Sequence, residues 1–188
     1  MSLTTLLVPT YRNLLQALSA WLDKAQQQVT AADAEALLSA RLAPDMFPLS
    51  SQIRFACLQA REAAHRLRGE PLAEALDQLA REGQNAGDRP GTIAEAQSRI
   101  GEALESLDAL KPDALDDGAQ RPITLELPGG MIFDMTGDAY ARDWALAQFY
   151  FHVVTAYAIL RGQGIELGKA DYVAHMFAYL RPGTMPAA

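Results

Sequence analysis

Three histidines, His65, His152 and His175, are the side chains of this 188-residue sequence best placed to do chemistry near neutral pH. Imidazole changes charge there, binds metals and moves protons. Three of them suit a metal site in a helical protein, because facing helices can project imidazoles inward. The other familiar signatures are absent: no phosphate-binding glycine loop, no GxGxxG after a strand, no GxSxG, no HExxH and no CxxC. Gly129-Gly130 reads as a turn, not a phosphate cradle.

The three histidines sit in different surroundings. His65 lies five residues beyond the apolar Ala60, about 140° around a helix, with Arg61 and Arg68 as helical neighbours. That is a solvated basic face, so His65 is expected to be exposed and no metal ligand. His152 falls in the longest uncharged run, Trp144 to Leu160, with Gln148 at i−4 and Thr155 at i+3 on its own face. It is either a satisfied core histidine or a polar group lining a pocket between helices; a buried imidazole needs a partner for at least one nitrogen. Gln148, Thr155 and, from the first helix, Tyr11 are its candidate partners, and an approach by Asp45 would favour its charged form. The candidate ligand-binding set is therefore His152, Gln148, Thr155, Tyr11 and Asp45, with no catalytic residue assigned, no metal and no cofactor. His175, near Asp171 and Tyr179, reads as structural.

These residues must be positioned by helices. Leu7, Tyr11, Leu14, Leu18, Trp21, Leu22 and Ala25 recur at three- and four-residue steps, so the first helix runs from about Leu3 to Gln28. Pro9 falls in its early turns or marks where the regular helix begins. Val29 to Ala40 is a weaker, Ala-rich stretch. Leu42 to Leu49 contains Pro44 and Pro48 and reads as an apolar loop lying on the core. Ser50 or Ser51 caps a second helix over Ser51 to Arg68, ended by Gly69. Pro71 opens a satellite helix to about Arg81, and Gly83 to Gly91 is a loop. Thr92 and Glu95 form a capping-box pattern for a third helix, Ile93 to Leu110. Ile123, Leu125 and Leu127, then Met131, Phe133 and Met135, alternate around Pro128-Gly129-Gly130 as a hairpin inserted over about 122–136. A fourth helix spans Ala139 to Arg161 with Asp138 as its cap; being apolar nearly all round, it is expected to be the most buried. A short helix over Ala170 to Leu180 and a flexible tail over 181–188 close the chain. The fold class is mainly α, a four-helix bundle forming one domain over 1–188.

Composition limits partners. A net charge of −7 repels phosphate backbones and anionic membranes, so neither nucleic acid nor membrane is expected. The one cysteine, Cys57, cannot form an internal disulfide, and the N-terminal stretch lacks a basic leader; a cytoplasmic location is expected.

Three segments resemble a known family: Leu42-Ala43-Pro44-Asp45-Met46-Phe47-Pro48-Leu49, the run from Gln148 through Phe151-His152-Val153 to Arg161, and Leu167-Gly168-Lys169-Ala170-Asp171-Tyr172. They resemble an uncharacterised bacterial domain-of-unknown-function family, itself similar to the DinB and YfiT-like bundles, over nearly the whole chain. The resemblance implies a helical, often dimeric protein from a superfamily of metalloenzymes and thiol-dependent transferases. The superfamily's metal pattern is one histidine on the second helix and an i, i+4 pair on the last bundle helix. His152 matches one member of that pair, but its partner position holds Ala156 or Gln148. Three functions follow as expectations: a bundle binding a small molecule near His152, a DinB-like divalent-metal hydrolase or transferase recruiting Asp45 or His175, and a structural dimerising protein. A homodimer is expected.

Overall fold

The computed structural model describes residues 2–127 and 129–184. The molecule is mainly helical. Helix α1 (Leu3–Gln28) is followed by α2 (Ala31–Ala36), α3 (Leu49–Arg68), α4 (Glu74–Asn85) and α5 (Ile93–Asp108). The hairpin β1 (Pro122–Leu127) and β2 (Met131–Thr136) precedes a continuous helical rod. That rod consists of α6 (Gly137–Ala139), a π-helical stretch (Tyr140–Ala145) and α7 (Leu146–Gly162). The short helix α8 (Lys169–Tyr172) and a 3-10 stretch (Ala174–Tyr179) follow. Among the described residues no helix is long and apolar enough to cross a membrane.

Helix α3 is the hub. It packs against α7 on one side and against α4 and α5 on the other, while α1 closes the bundle against α5 and α7. One continuous core joins the inner faces: Leu7, Leu18 and Trp21 of α1, Ile53, Ala60 and Leu67 of α3, Ile100 of α5, and Phe149, Val153 and Leu160 of α7. The apolar periodicity of α1 and α5 therefore forms the interior that the sequence patterning implies. The Thr92–Glu95 capping box is formed as expected: Thr92 Oγ1 accepts from the Glu95 amide, and Glu95 Oε2 accepts from the Thr92 amide.

Several boundaries differ, though α1 has the expected bounds with Pro9 in its early turns; its first turn is capped by Ser2 and clasped by Asp116. Asp116 Oδ1 accepts from Ser2 Oγ, the Thr4 amide and Thr4 Oγ1, at 2.8–2.9 Å. Helix α3 is entered through Pro48, so Ser50 and Ser51 do not cap it but lie buried inside it. Helix α4 starts later than Pro71 and runs through Gly83 to Asn85. Gly83 is there for close approach: a Cβ would stand 2.5 Å from the Phe55 ring of α3. The rod starts with Thr136 as cap, while Asp138 pairs with Arg142 at 3.1 Å. Of the expected loop Leu42 to Leu49, Leu49 is buried as the first residue of α3, but Leu42 and Phe47 are exposed, so the stretch does not lie wholly on the core.

The largest correction concerns α7. Its buried residues are Phe149, Val153, Thr155, Ala156, Ile159 and Leu160, while Tyr150, Phe151 and Val154 are 39%, 55% and 47% exposed. An all-round apolar helix at the rim of a bundle can cover only the faces its neighbours reach. The hairpin pairs Ile123 with Met135 and Leu125 with Phe133, and buries Ile123 and Leu125. Pro128 of its turn, and 185–188 of the expected tail, lie outside the described residues.

Candidate functional site

His152 sits on α7 at the seam with α3. Val153 beside it points into the core, which leaves the imidazole half-buried at the edge of the interface. The ring lies between two phenylalanines, 5.2 Å from Phe55 of α3 and 5.5 Å from Phe151 of its own helix. Its Nδ1 is 2.8 Å from Oε1 of Gln52 on α3. Gln52 is itself only 2% exposed, and its Nε2 donates to the Phe47 carbonyl at 3.1 Å.

This chain determines the proton positions. The Phe47 carbonyl can only accept, so the Gln52 amide nitrogen faces it and Oε1 faces His152. Oε1 can only accept as well, so Nδ1 of His152 carries the hydrogen. The Nε2 lone pair is left free. It has no hydrogen-bond partner among the described residues, and the side chain is only half-buried. Burial also lowers the imidazole's pKa to about 4. At neutral pH the ring is therefore uncharged, with one nitrogen held as a donor and the other offered as an acceptor.

Among the described residues none of the other expected members of the site hydrogen-bonds to His152. Thr155 is buried, and its hydroxyl donates to the Phe151 carbonyl at 2.6 Å on its own helix. Tyr11 is buried against Phe149, ring centroids 4.7 Å apart, with its hydroxyl unpartnered. Burial raises its pKa well above the ordinary value. Gln148 is half-buried on α7, and no hydrogen bond joins it to His152. Asp45 is exposed on the loop before α3; that loop reaches the site through the Phe47 carbonyl, not through the Asp45 carboxylate. The residue that does partner His152, Gln52, is 100 positions away in sequence. Its only sequence signal was a polar side chain one position before the apolar Ile53.

His65 is partly exposed rather than fully so. It is turned away from the bundle, with Nδ1 3.2 Å from the Pro71 carbonyl and 3.6 Å from Glu70. His175 is half-buried beside Lys24 and Asp171, with Nδ1 unpartnered. Cys57 is fully buried and its thiol is pushed up to about 12, which makes it inert as a nucleophile at neutral pH.

The metal centre implied by the resemblance does not fit these residues. Among the described residues no three His, Cys, Asp or Glu side chains come together as a metal-holding group. Position 156 is a buried alanine, position 148 a glutamine, and α3 offers His152 an amide instead of an imidazole.

Comparison with known proteins agrees with this architecture. Residues 3–173 match the model of a family described as Domain of unknown function (DUF1993). A crystal structure of a DinB family member protein from Shewanella denitrificans is 30% identical, with a TM-score of 0.73, and the match covers 98% of this chain and 96% of that one. No match was found among curated proteins.

Proposed function

The chain belongs to the DUF1993 family and has a DinB-like fold, and from that premise we propose that it binds a small molecule at the α3–α7 seam through His152. The observation that carries this reading is the open Nε2 lone pair, held in one tautomer by Gln52. A neutral imidazole acceptor between Phe55 and Phe151 suits a ligand with an N–H or O–H donor on an aromatic or apolar body. A pKa near 4 makes His152 a weak base at neutral pH, which favours binding over general-base catalysis. The acidic sequence and the buried thiol support a cytoplasmic setting without nucleic-acid or membrane partners.

The test is a thermal-shift screen of uncharged aromatic compounds bearing one donor, repeated on His152→Phe. Hits that stabilise the wild-type chain and are lost in the variant support the site. Hits indifferent to the substitution, or no hits at all, overturn it.

A second reading, compatible with the first, is a homodimer. Ala147, Tyr150, Phe151 and Val154 form an exposed stripe along α7 at helical spacing, and apolar stripes of this kind are commonly covered by a partner. The occupant we assign is a second copy packing α7 against α7. Sedimentation should give a dimer at micromolar concentration and a monomer for Phe151→Glu; a monomeric wild-type chain overturns this reading.

A further inference from the structure

Arg54 is 5% exposed, an unusual placement for a guanidinium. It lies on α3 beneath a cleft of ≈ 390 Å³ between α4 and α5, lined also by Glu82, Arg89, Glu95 and Arg99. A second hollow of ≈ 210 Å³, sharing Arg54, Glu82 and Arg89, adds Arg81 at its rim.

The hydrogen bonds show which charges are already committed. Nη1 of Arg54 donates to the Ser50 carbonyl at 3.2 Å and to Ser50 Oγ. Ser50 Oγ donates in turn to the Pro90 carbonyl, so Arg54 is fixed from behind. Its other edge makes no hydrogen bond: Nε is buried without a hydrogen-bond partner and meets Glu82 only as a loose ion pair at 3.7 Å. Glu82 is committed to Arg99, which donates from Nε and Nη2 at 3.0 and 2.6 Å. Arg99 also donates from Nη1 to Glu102. Glu95 Oε2 is occupied by the Thr92 amide. Arg89 is exposed at the mouth and has no ion pair among the described residues. Gly91 flanks the Nη2 side: its φ is +72°, and a Cβ there would collide with Glu95 Oε2 and stand 2.8 Å from Nη2.

The cleft thus holds three guanidiniums against two carboxylates on a chain of net charge −7, and two of those cations, Arg54 and Arg89, have bonding capacity to spare. The Nε–Nη2 edge is the fork that takes two oxygens of one oxyanion side by side. We propose that this cleft binds the phosphate group of a small molecule, with Arg54 taking two phosphate oxygens at the floor and Arg89 closing on it from the mouth. Phosphate is preferred over carboxylate because its additional oxygens can meet Arg54 and Arg89 at the same time. The cleft is larger than a phosphate ion and leaves room for the group that carries it.

The experiment is calorimetric titration at constant ionic strength with inorganic phosphate, phenyl phosphate and acetate, using circular dichroism to check the fold of each variant. Saturable binding of both phosphates is expected, with the ester tighter. Arg89→Gln, at an exposed position, should weaken phenyl phosphate about tenfold, the loss of one charge-assisted contact. Arg54→Lys keeps the charge but loses the fork, and should weaken it by at least as much. Arg12→Gln, at a surface pair with Asp108, should change nothing. Lack of saturation by either phosphate, rejection of the ester, acetate binding as tightly as phosphate, or unchanged affinity in Arg89→Gln would each overturn the proposal.

Discussion

Two regions served by one helix differ in how they treat polarity. Gln52 and Arg54 are two positions apart on α3 and so about 200° apart around it. Gln52 faces α7 and builds a neutral, fully directed chain of two hydrogen bonds ending on His152. Arg54 faces α4 and α5 and builds a charged cluster in which some donors are spent and others are not. Among the described residues six polar or charged side chains are buried, and Ser50, Ser51, Gln52 and Arg54 are four of them. Burying polar groups is costly unless they are paired, so their concentration in the first turns of α3 marks where this fold spends stability. The neutral region leaves one acceptor open and the charged region leaves donors open, which is why opposite ligand chemistries are assigned to them.

The largest effect that separates the two regions is a pH dependence. His152 takes a proton at about 6.5 in the unfolded chain but only at about 4 in the folded one. Between these values the unfolded state binds more protons, so stability rises with pH. The contribution is complete above pH 6.5 and is lost as pH falls toward 4, amounting to roughly 3 kcal/mol. Urea unfolding from pH 4 to 7 should show this slope in the wild-type chain and lose it in His152→Phe, whereas Arg89→Gln should retain it. An identical slope in His152→Phe would mean that the imidazole is not shielded.

Gln52→Leu comes next. It strands the His152 Nδ1–H and the Phe47 carbonyl together, at a cost of roughly 1–3 kcal/mol in urea unfolding. Phosphate affinity at the Arg54 cleft should be unchanged, because Gln52 points away from it; a parallel loss there would show that the two regions act as one.

Glu82→Gln is expected to have a smaller effect on the fold and an opposite effect on binding. Burial pushes the Glu82 carboxyl up, but the Arg99 hydrogen bonds and the nearby cations outweigh it and hold the group below its usual range. Losing that carboxylate should cost about 1 kcal/mol and tighten phenyl phosphate several-fold, since one repelling charge leaves the cleft. Weaker binding in this variant would count against the assignment of free charge to Arg54 and Arg89.

Asp45→Asn is expected to have the least effect, within about 0.5 kcal/mol, because the side chain is exposed. Ligand hits dependent on His152 should survive it. Their loss would return Asp45 to the site.

What the sequence determined by itself is local. Apolar residues at three- and four-residue steps define α1 and α5, the Thr92–Glu95 box sets where α5 begins, and alternation around a glycine turn defines the hairpin. Each depends on neighbours within a turn or a strand pair, so the pattern is visible in a short window. His152 was legible as a polar interruption of an apolar helix. Gln148 and Thr155 were read with it because they share its helical face, yet a shared face does not say what a neighbouring helix brings to it. That was decided by the docking of α3 on α7, which places Gln52 against Nδ1 and leaves Gln148 and Thr155 to other surroundings. The docking of α4 on α3 turned Gly83 from an expected loop residue into a contact point for Phe55. It also buried Arg54, which in sequence is one more charge on a mixed helix. The physical reason is common to all three: burial and hydrogen-bond partnership are properties of two surfaces meeting, and one segment encodes only its own half.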